Sequence, residues 1–264
     1  MVDTGVQADH PALQGRVLAG YDFVNDDGDA SDDNGHGTAV AGIIASACSP
    51  CRILPVKVLA ANGTGDWGAV AGGIGWAADH GAQVIDLSLG AARAPGVLAA
   101  AVSYALAKGV IVVAAAGDDG RNEPFYPAAY SGVVSVAGID QNGARYPWSN
   151  FGAWVTVAAP GCARTAWIGG AYTSDFCGTS TAAPFVAAAA GLARSYAPAL
   201  TPAAFAAALG ASSNPLADGS IAAAGRADAS RMLTALGSLQ ARPNPPAGPS
   251  RARTTRRPRR VREP

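Results

Sequence analysis

Four near-continuous apolar runs divide the chain: RILPVKVLA (52–60), AQVIDLSLG (82–90), VIVVAAAG (110–117) and VVSVAGI (133–139). A strand with one wet face alternates apolar and polar residues. These runs do not, which is the pattern of strands buried on both faces of a parallel sheet. Between them, 67–80 and 95–108 have the length and alanine content of helices. Strand–helix–strand repetition places helices over both faces of such a sheet. Further helices are predicted over 179–197, 201–211 and 227–237, the second with Thr201 as N-cap before Pro202. The fold class is α/β.

At 264 residues the chain has room for one large domain or two small ones. With 49% hydrophobic and only 14% charged residues, disorder is excluded for most of its length. The net charge of zero conceals an asymmetry. Residues 241–264 hold eight Arg against one Glu, so that segment carries +7 and the remainder −7. The predicted division is a folded domain over 1–239 and a flexible Arg/Pro-rich tail over 240–264. The tail lacks the apolar residues that offset ordering entropy. Electrostatic binding to nucleic acid or an anionic surface is one use for it, but a solvated extension is the favoured reading, and nucleic acid is not the expected partner. No apolar run reaches the roughly 18 residues that a membrane span requires, and the N-terminus carries no export signal.

Four cysteines fall as a near pair, Cys48 and Cys51, and a second pair, Cys162 and Cys177. A redox CxxC or half a zinc site competes with two disulfides. Disulfides are the favoured reading and imply export, to the periplasm or the exterior.

In open α/β sheets, ligands bind beyond the carboxyl ends of the strands. Those ends supply Asp3, Ser88, Asp118 and the loop before Ser180. His36 begins a helix between two glycines, and Ser180 begins another. Singly, each is read as a cap, a turn or a structural histidine. Jointly, they are the three groups that nucleophilic acyl transfer needs. A serine hydroxyl is a weak nucleophile until an imidazole takes its proton, and the imidazole needs a carboxylate to fix its tautomer.

The segments VDTGV, NGHGTAVAGIIA, ILPVKVL, IDLSLG, VVAAAG, YPAAYSGVVSVAGID, VAAPG and GTSTAAP resemble, in order, those of the subtilisin-like serine proteases, over roughly residues 2–236. The resemblance implies a three-layer α/β/α sandwich around a mainly parallel sheet. It also implies a serine endopeptidase acting on protein or peptide substrates through an acyl-enzyme, with no cofactor required. Ser180 is then the nucleophile, His36 the base and Asp3 its orienting carboxylate. Ser88, Leu89 and Gly90, with Gly63, Thr64 and Gly65, match segments that pair with an extended substrate. Ser180 and Thr179 adjoin the oxyanion site.

The chain departs from the family pattern at Asp118, where the family has an Asn that donates to the oxyanion. Three readings follow. An ionised Asp118 repels the oxyanion, by about 4 kcal/mol at ~4 Å and an effective dielectric near 20. A protonated one donates as Asn does. Or the carboxyl points elsewhere and the Ser180 N–H suffices. A repelling Asp118 would leave a catalytically impaired, peptide-binding relative. Ala39, Thr181 and Phe185, where many relatives have His, Met and His, read as packing variants. Phe125 falls near the base of the specificity pocket, where a ring makes the pocket shallow, and Asp119 and Glu123 would attract basic residues. The loop YDFVNDDGDASDDNG holds six Asp. It suits the structural calcium that many subtilases bind, with Asp22, Asp27 and Asp29 as candidate ligands, although acidic surface loops are common.

Only Met1 and Val2 precede Asp3, so the strand carrying it is expected to be truncated, with its front, a propeptide and a signal peptide encoded upstream. A central strand without half its ladder predicts low stability.

Overall fold

The computed structural model describes residues 1–240. The basic 241–264 segment, and with it most of the predicted tail, lies outside the described residues.

Two parallel sheets occupy the centre. In one, β1 (Val2–Asp3) and β2 (Tyr21–Asp22) flank β3 (Val56–Lys57). The other runs in the order β4 (Val84–Leu87), β5 (Ile111–Ala115), β6 (Val134–Ile139), β7 (Val157–Pro160), with Val84 opposite Ile111, Val113 opposite Val134 and Val136 opposite Val157. All four apolar runs contribute strand. The run 52–60 contributes least, because Pro55 has no N–H for a ladder. Ile53 bridges Val17 before it, and β3 begins after it.

The strands bury alternate side chains in two cores. Val112 and Ala114 join Val2, Val56 and Val58 under α2 (Trp67–Asp79) and α3 (Gly96–Ala107). Ile111, Val113 and Ala115 face the other way, with Val134 and Val136, toward α4 (Thr179–Tyr196), α5 (Pro202–Ser212) and α6 (Ala229–Gln240). Each Val or Ile so buried contributes about 1.5–3 kcal/mol relative to exposure. α1 (His36–Ala47) packs on α4 and on β8 (Cys162–Trp167). The result is the expected α/β/α layering.

Capping residues fix the helix starts. Asp66 accepts from the N–H groups of Gly68 and Ala69, and Thr201 from that of Ala204. Asp228 accepts from Arg231 N at 2.9 Å, which explains why α6 begins at 229 rather than 227. The helix then runs through Gln240, one residue past the predicted domain edge. Sequence analysis missed the antiparallel hairpin of β8 and β9 (Ala171–Cys177), whose second strand leads straight into α4.

Candidate active site

Asp3 ends β1 with its carboxylate fully buried. Its Oδ1 accepts from Thr4 N at 2.7 Å and lies 2.7 Å from His36 Nδ1. A carboxylate only accepts, so Nδ1 carries the proton and Nε2 is the free basic nitrogen. His36 opens α1, and its approach to Asp3 depends on Gly37. A Cβ there would collide with the Gly5 carbonyl and lie 3.2 Å from Asp3 Oδ1. Asp32 ties the two segments together. It accepts from Asn34 N, Gly35 N and Thr4 Oγ1 on one oxygen, and from Thr38 N and Oγ1 on the other. Burial opposes a charge on His36, but Asp3, helped by Asp86 and Asp32, outweighs it and raises the imidazole above its ordinary value. The Phe176 ring stands edge-on to the imidazole at 5.4 Å.

Ser180 is the second residue of α4. Gly178, at φ 149°, turns the chain into that helix and offers no side-chain cap. Asp118, at the end of β5, supplies one: its Oδ1 accepts from Thr179 N at 2.8 Å. Thr179 itself is fully buried, and its Oγ1 accepts from Gly117 N at 3.0 Å. The Ser180 hydroxyl donates to the Ser88 carbonyl at 3.0 Å. Having one proton, it is not simultaneously a donor to His36. Asp118 does not point away. A Cβ on Gly178 would meet Asp118 Oδ2 at 3.1 Å and Ser180 N at 3.6 Å, so both border the same space. Burial raises the Asp118 carboxyl above its usual range, against hydrogen bonds from Thr179 that lower it.

Ser88, Leu89 and Gly90 continue β4 toward Ser180. Gly65 precedes α2, in a turn closed by Ala60 N to Thr64 O at 2.8 Å and tied to the His36 loop by Asn34 Nδ2 donating to Ala61 O. The Phe125 ring fills the space between Gly90 and Gly117, 2.5 Å and 2.8 Å from a Cβ built on each. Glu123 has Arg121 3.8 Å away, which offsets the negative charge expected to attract basic residues. Ala39, Thr181 and Phe185 serve packing: Thr165 Oγ1 donates to Ala39 O, Thr181 Oγ1 to Phe176 O, and Phe185 borders the α4 core.

The structure does not gather Asp22, Asp27 and Asp29 into a cluster arranged to hold a metal. Asp22 accepts from Val24 N, Asn25 N and Asn25 Nδ2, Asp27 from Asp29 N, and Asp29 from Ser31. Each carboxylate accepts within its own turn. Among the described residues no group of three His, Cys, Asp or Glu side chains is arranged to hold a metal. The cysteines form two disulfides, Cys48–Cys51 and Cys162–Cys177, which displaces the zinc reading.

Three groups near the site were not singled out from the sequence. Asp32 was hidden among six neighbouring acids. Lys57 is 2% exposed, and its Nζ donates to Thr4 O, Leu59 O and Asp33 Oδ1; a lone Lys in an apolar run was its signal. Asp86, inside β4, is also 2% exposed.

The profile of the subtilase family matches residues 1–233. Thermitase of Thermoactinomyces vulgaris is 48% identical over 206 residues, which cover 73% of this chain and 72% of thermitase. A thermophilic serine proteinase of Bacillus sp. (strain AK1) is 45% identical over 197 residues, 71% of this chain but only 49% of that protein. Among solved structures, that of a cold adapted subtilisin-like serine proteinase superposes with a TM-score of 0.79 at 33% identity, over 86% of this chain and 85% of that one. This chain therefore belongs to the subtilase family, the subtilisin-like serine endopeptidases.

Proposed function

We propose that the chain hydrolyses peptide bonds through an acyl-enzyme, with Ser180 as nucleophile, His36 as general base and then acid, and Asp3 as the carboxylate that orients His36. The observation that carries this reading is the 2.7 Å contact of His36 Nδ1 with a fully buried Asp3, which leaves Nε2 as the basic nitrogen. Chemistry begins when the Ser180 hydroxyl leaves the Ser88 carbonyl and gives its proton to Nε2. The alkoxide attacks the scissile carbonyl, and the tetrahedral oxyanion is received beside Ser180 N and Asp118 Oδ2. His36 then returns the proton to the leaving amine, and water repeats the sequence on the acyl-enzyme. The substrate lies extended along Ser88–Gly90 and Gly63–Gly65, adding a strand to each.

Two disulfides among the described residues support an exported protein.

Asp118 favours a second reading, an impaired relative that binds peptides without turning them over, because its carboxyl stands beside the nucleophile's turn where the family has an Asn and, when ionised, repels an oxyanion there. A fluorophosphonate probe separates the two. Labelling confined to Ser180 and lost in Ser180→Ala supports the peptidase. No labelling of folded protein refutes it.

A further inference from the structure

β4 carries a buried carboxylate that the proposed chemistry does not use. Asp86 Oδ1 is buried without a hydrogen-bond partner, and Oδ2 lies 3.0 Å from Ser88 Oγ. That hydroxyl also lies 3.3 Å from the Ser180 carbonyl, while the Ser180 hydroxyl donates back to the Ser88 carbonyl at 3.0 Å. Asp86, Ser88 and Ser180 thus form a closed path from the sheet interior to the nucleophile's own backbone. An isolated carboxylate at a central strand is costly, and an apolar residue would fit the run AQVIDLSLG equally well. A pairing role with Ser88 accounts for Oδ2, and an electrostatic role toward His36 for a charged group at this place.

We propose that Asp86 is a positioning residue of the active site: through Ser88 it holds the backbone on which Ser180 stands, and its charge biases the protonation of His36. This rests on the peptidase reading above. The groups that interact with it are the Met1 ammonium and Asp3 on β1, His36 on α1 and Ser88 on its own strand. His80 and Arg52 line the same cavity, of about 300 Å³, at whose wall Asp86 lies. Burial pushes Asp86 up to about 7, against the Met1 ammonium and the Ser88 hydrogen bond, which lower it.

The charge on Asp86 therefore changes near neutral pH, where it acts on the protonation of His36. An ionised Asp86 favours the imidazolium and delays the appearance of the neutral base. Two coupled groups give a broad, two-step limb rather than a single-proton one. Ser88 has one proton to share. With Asp86 ionised it goes to the carboxylate. With Asp86 protonated, Asp86 donates to Ser88 and the Ser88 proton turns to the Ser180 carbonyl, so the path stays connected.

Two substitutions separate the roles. Asp86→Asn keeps an acceptor for Ser88 and removes the charge. Its acid limb of kcat/KM should sharpen to one proton and move to lower pH. A half-unit shift raises kcat/KM about threefold at a fixed pH on a one-proton limb. Asp86→Ala removes the acceptor as well, so it should show the same shift with a plateau kcat severalfold lower. A limb that is unmoved in Asp86→Asn overturns the electrostatic role, and equal plateau kcat in Asn and Ala overturns the positioning role. Should either variant fail to fold, the His36 imidazole is followed by NMR against pH in Ser180→Ala with Asp86 intact. Two-step titration supports the proposal and a single-proton curve overturns it. That measurement needs no turnover, so its outcome is independent of whether Ser180 is labelled by the fluorophosphonate.

Discussion

Replacing Asp118 with Asn tests the site at the point where this chain departs from its family. Oδ1 is committed to Thr179 N–H at 2.8 Å, and Oδ2 borders the space beside Ser180 N. Asn reproduces the first contact with its carbonyl and turns an amide donor toward the second. The expected gain has two bounds. Repulsion from an ionised carboxyl about 4 Å from the oxyanion is worth about 4 kcal/mol at an effective dielectric near 20, which is roughly a thousandfold. Loss of one oxyanion donor costs roughly 10²–10³ in kcat, a magnitude measured in the relative subtilisin. Both place the ceiling for Asp118→Asn near a thousandfold. The gain depends on pH because burial raises the Asp118 carboxyl. While it is protonated it donates much as Asn does, and the gain is small. As pH climbs through its pKa the donor is lost and the gain approaches the ceiling. If the Asp118 carboxyl titrates above His36, wild type shows a narrow bell in kcat, closed on the acid side by His36 and on the alkaline side by Asp118, that the variant lacks; if it titrates below His36, the variant is faster at every pH at which His36 is neutral. The assay is kcat against pH from 6 to 10 on a small peptide substrate for both proteins. Stability is the control: Asn still caps α4, whereas Asp118→Ala should lose about 1 kcal/mol. A kcat for the Asn variant that is unchanged or lower across the whole range refutes the reasoning and removes Asp118 from the mechanism.

The acid limb of kcat/KM in wild type should have its midpoint above the ordinary histidine value, since His36 is raised and only its neutral form accepts the Ser180 proton; a midpoint below 6 contradicts the Asp3 contact. Lys57→Met should destabilise the Ser180→Ala protein by about 2–4 kcal/mol in chemical denaturation, because two carbonyls, those of Thr4 and Leu59, lose a buried donor; a change below 0.5 kcal/mol would show that water replaces it. Removing Cys162–Cys177 should cost about 3 kcal/mol and removing Cys48–Cys51 about 2, from loops spanning 15 and 3 residues in the chain-entropy model. The reverse order in melting experiments would mean that the buried Cys48 contributes through packing.

What was legible in the sequence follows the range of the interactions concerned. Strands β4, β5 and β6 were read correctly because burial on both faces writes itself into consecutive residues. Helices α2 to α5 were placed within two residues of each end because length, alanine content and caps such as Thr201 are local. The β8–β9 hairpin was missed. Its second strand, AYTSDFC, is polar and exposed, so it carries no apolar signal, and what holds it is pairing with β8 and the bond between Cys162 and Cys177. The site divides the same way. Asp3, His36 and Ser180 were visible because each sits in its own glycine-rich turn. That His36 rests on Asp3, by contrast, depends on Asp32, which joins Thr4 to Thr38, and on Lys57, which joins Thr4 to Asp33. The Asp32 link has no one-dimensional signature, since an acid among six acids looks like a solvated loop until a threonine from another segment donates to it, and Lys57 shows only as a lone Lys in an apolar run. The same acid-rich loop reads, on sequence, as a calcium loop with Asp22, Asp27 and Asp29 as candidate ligands. In the structure Asp32 takes the N–H and O–H groups of the segments that bring Asp3 and His36 together, Asp33 accepts from Lys57, and Asp22, Asp27 and Asp29 accept within their own turns, so part of the charge density that suggested calcium goes into building the site.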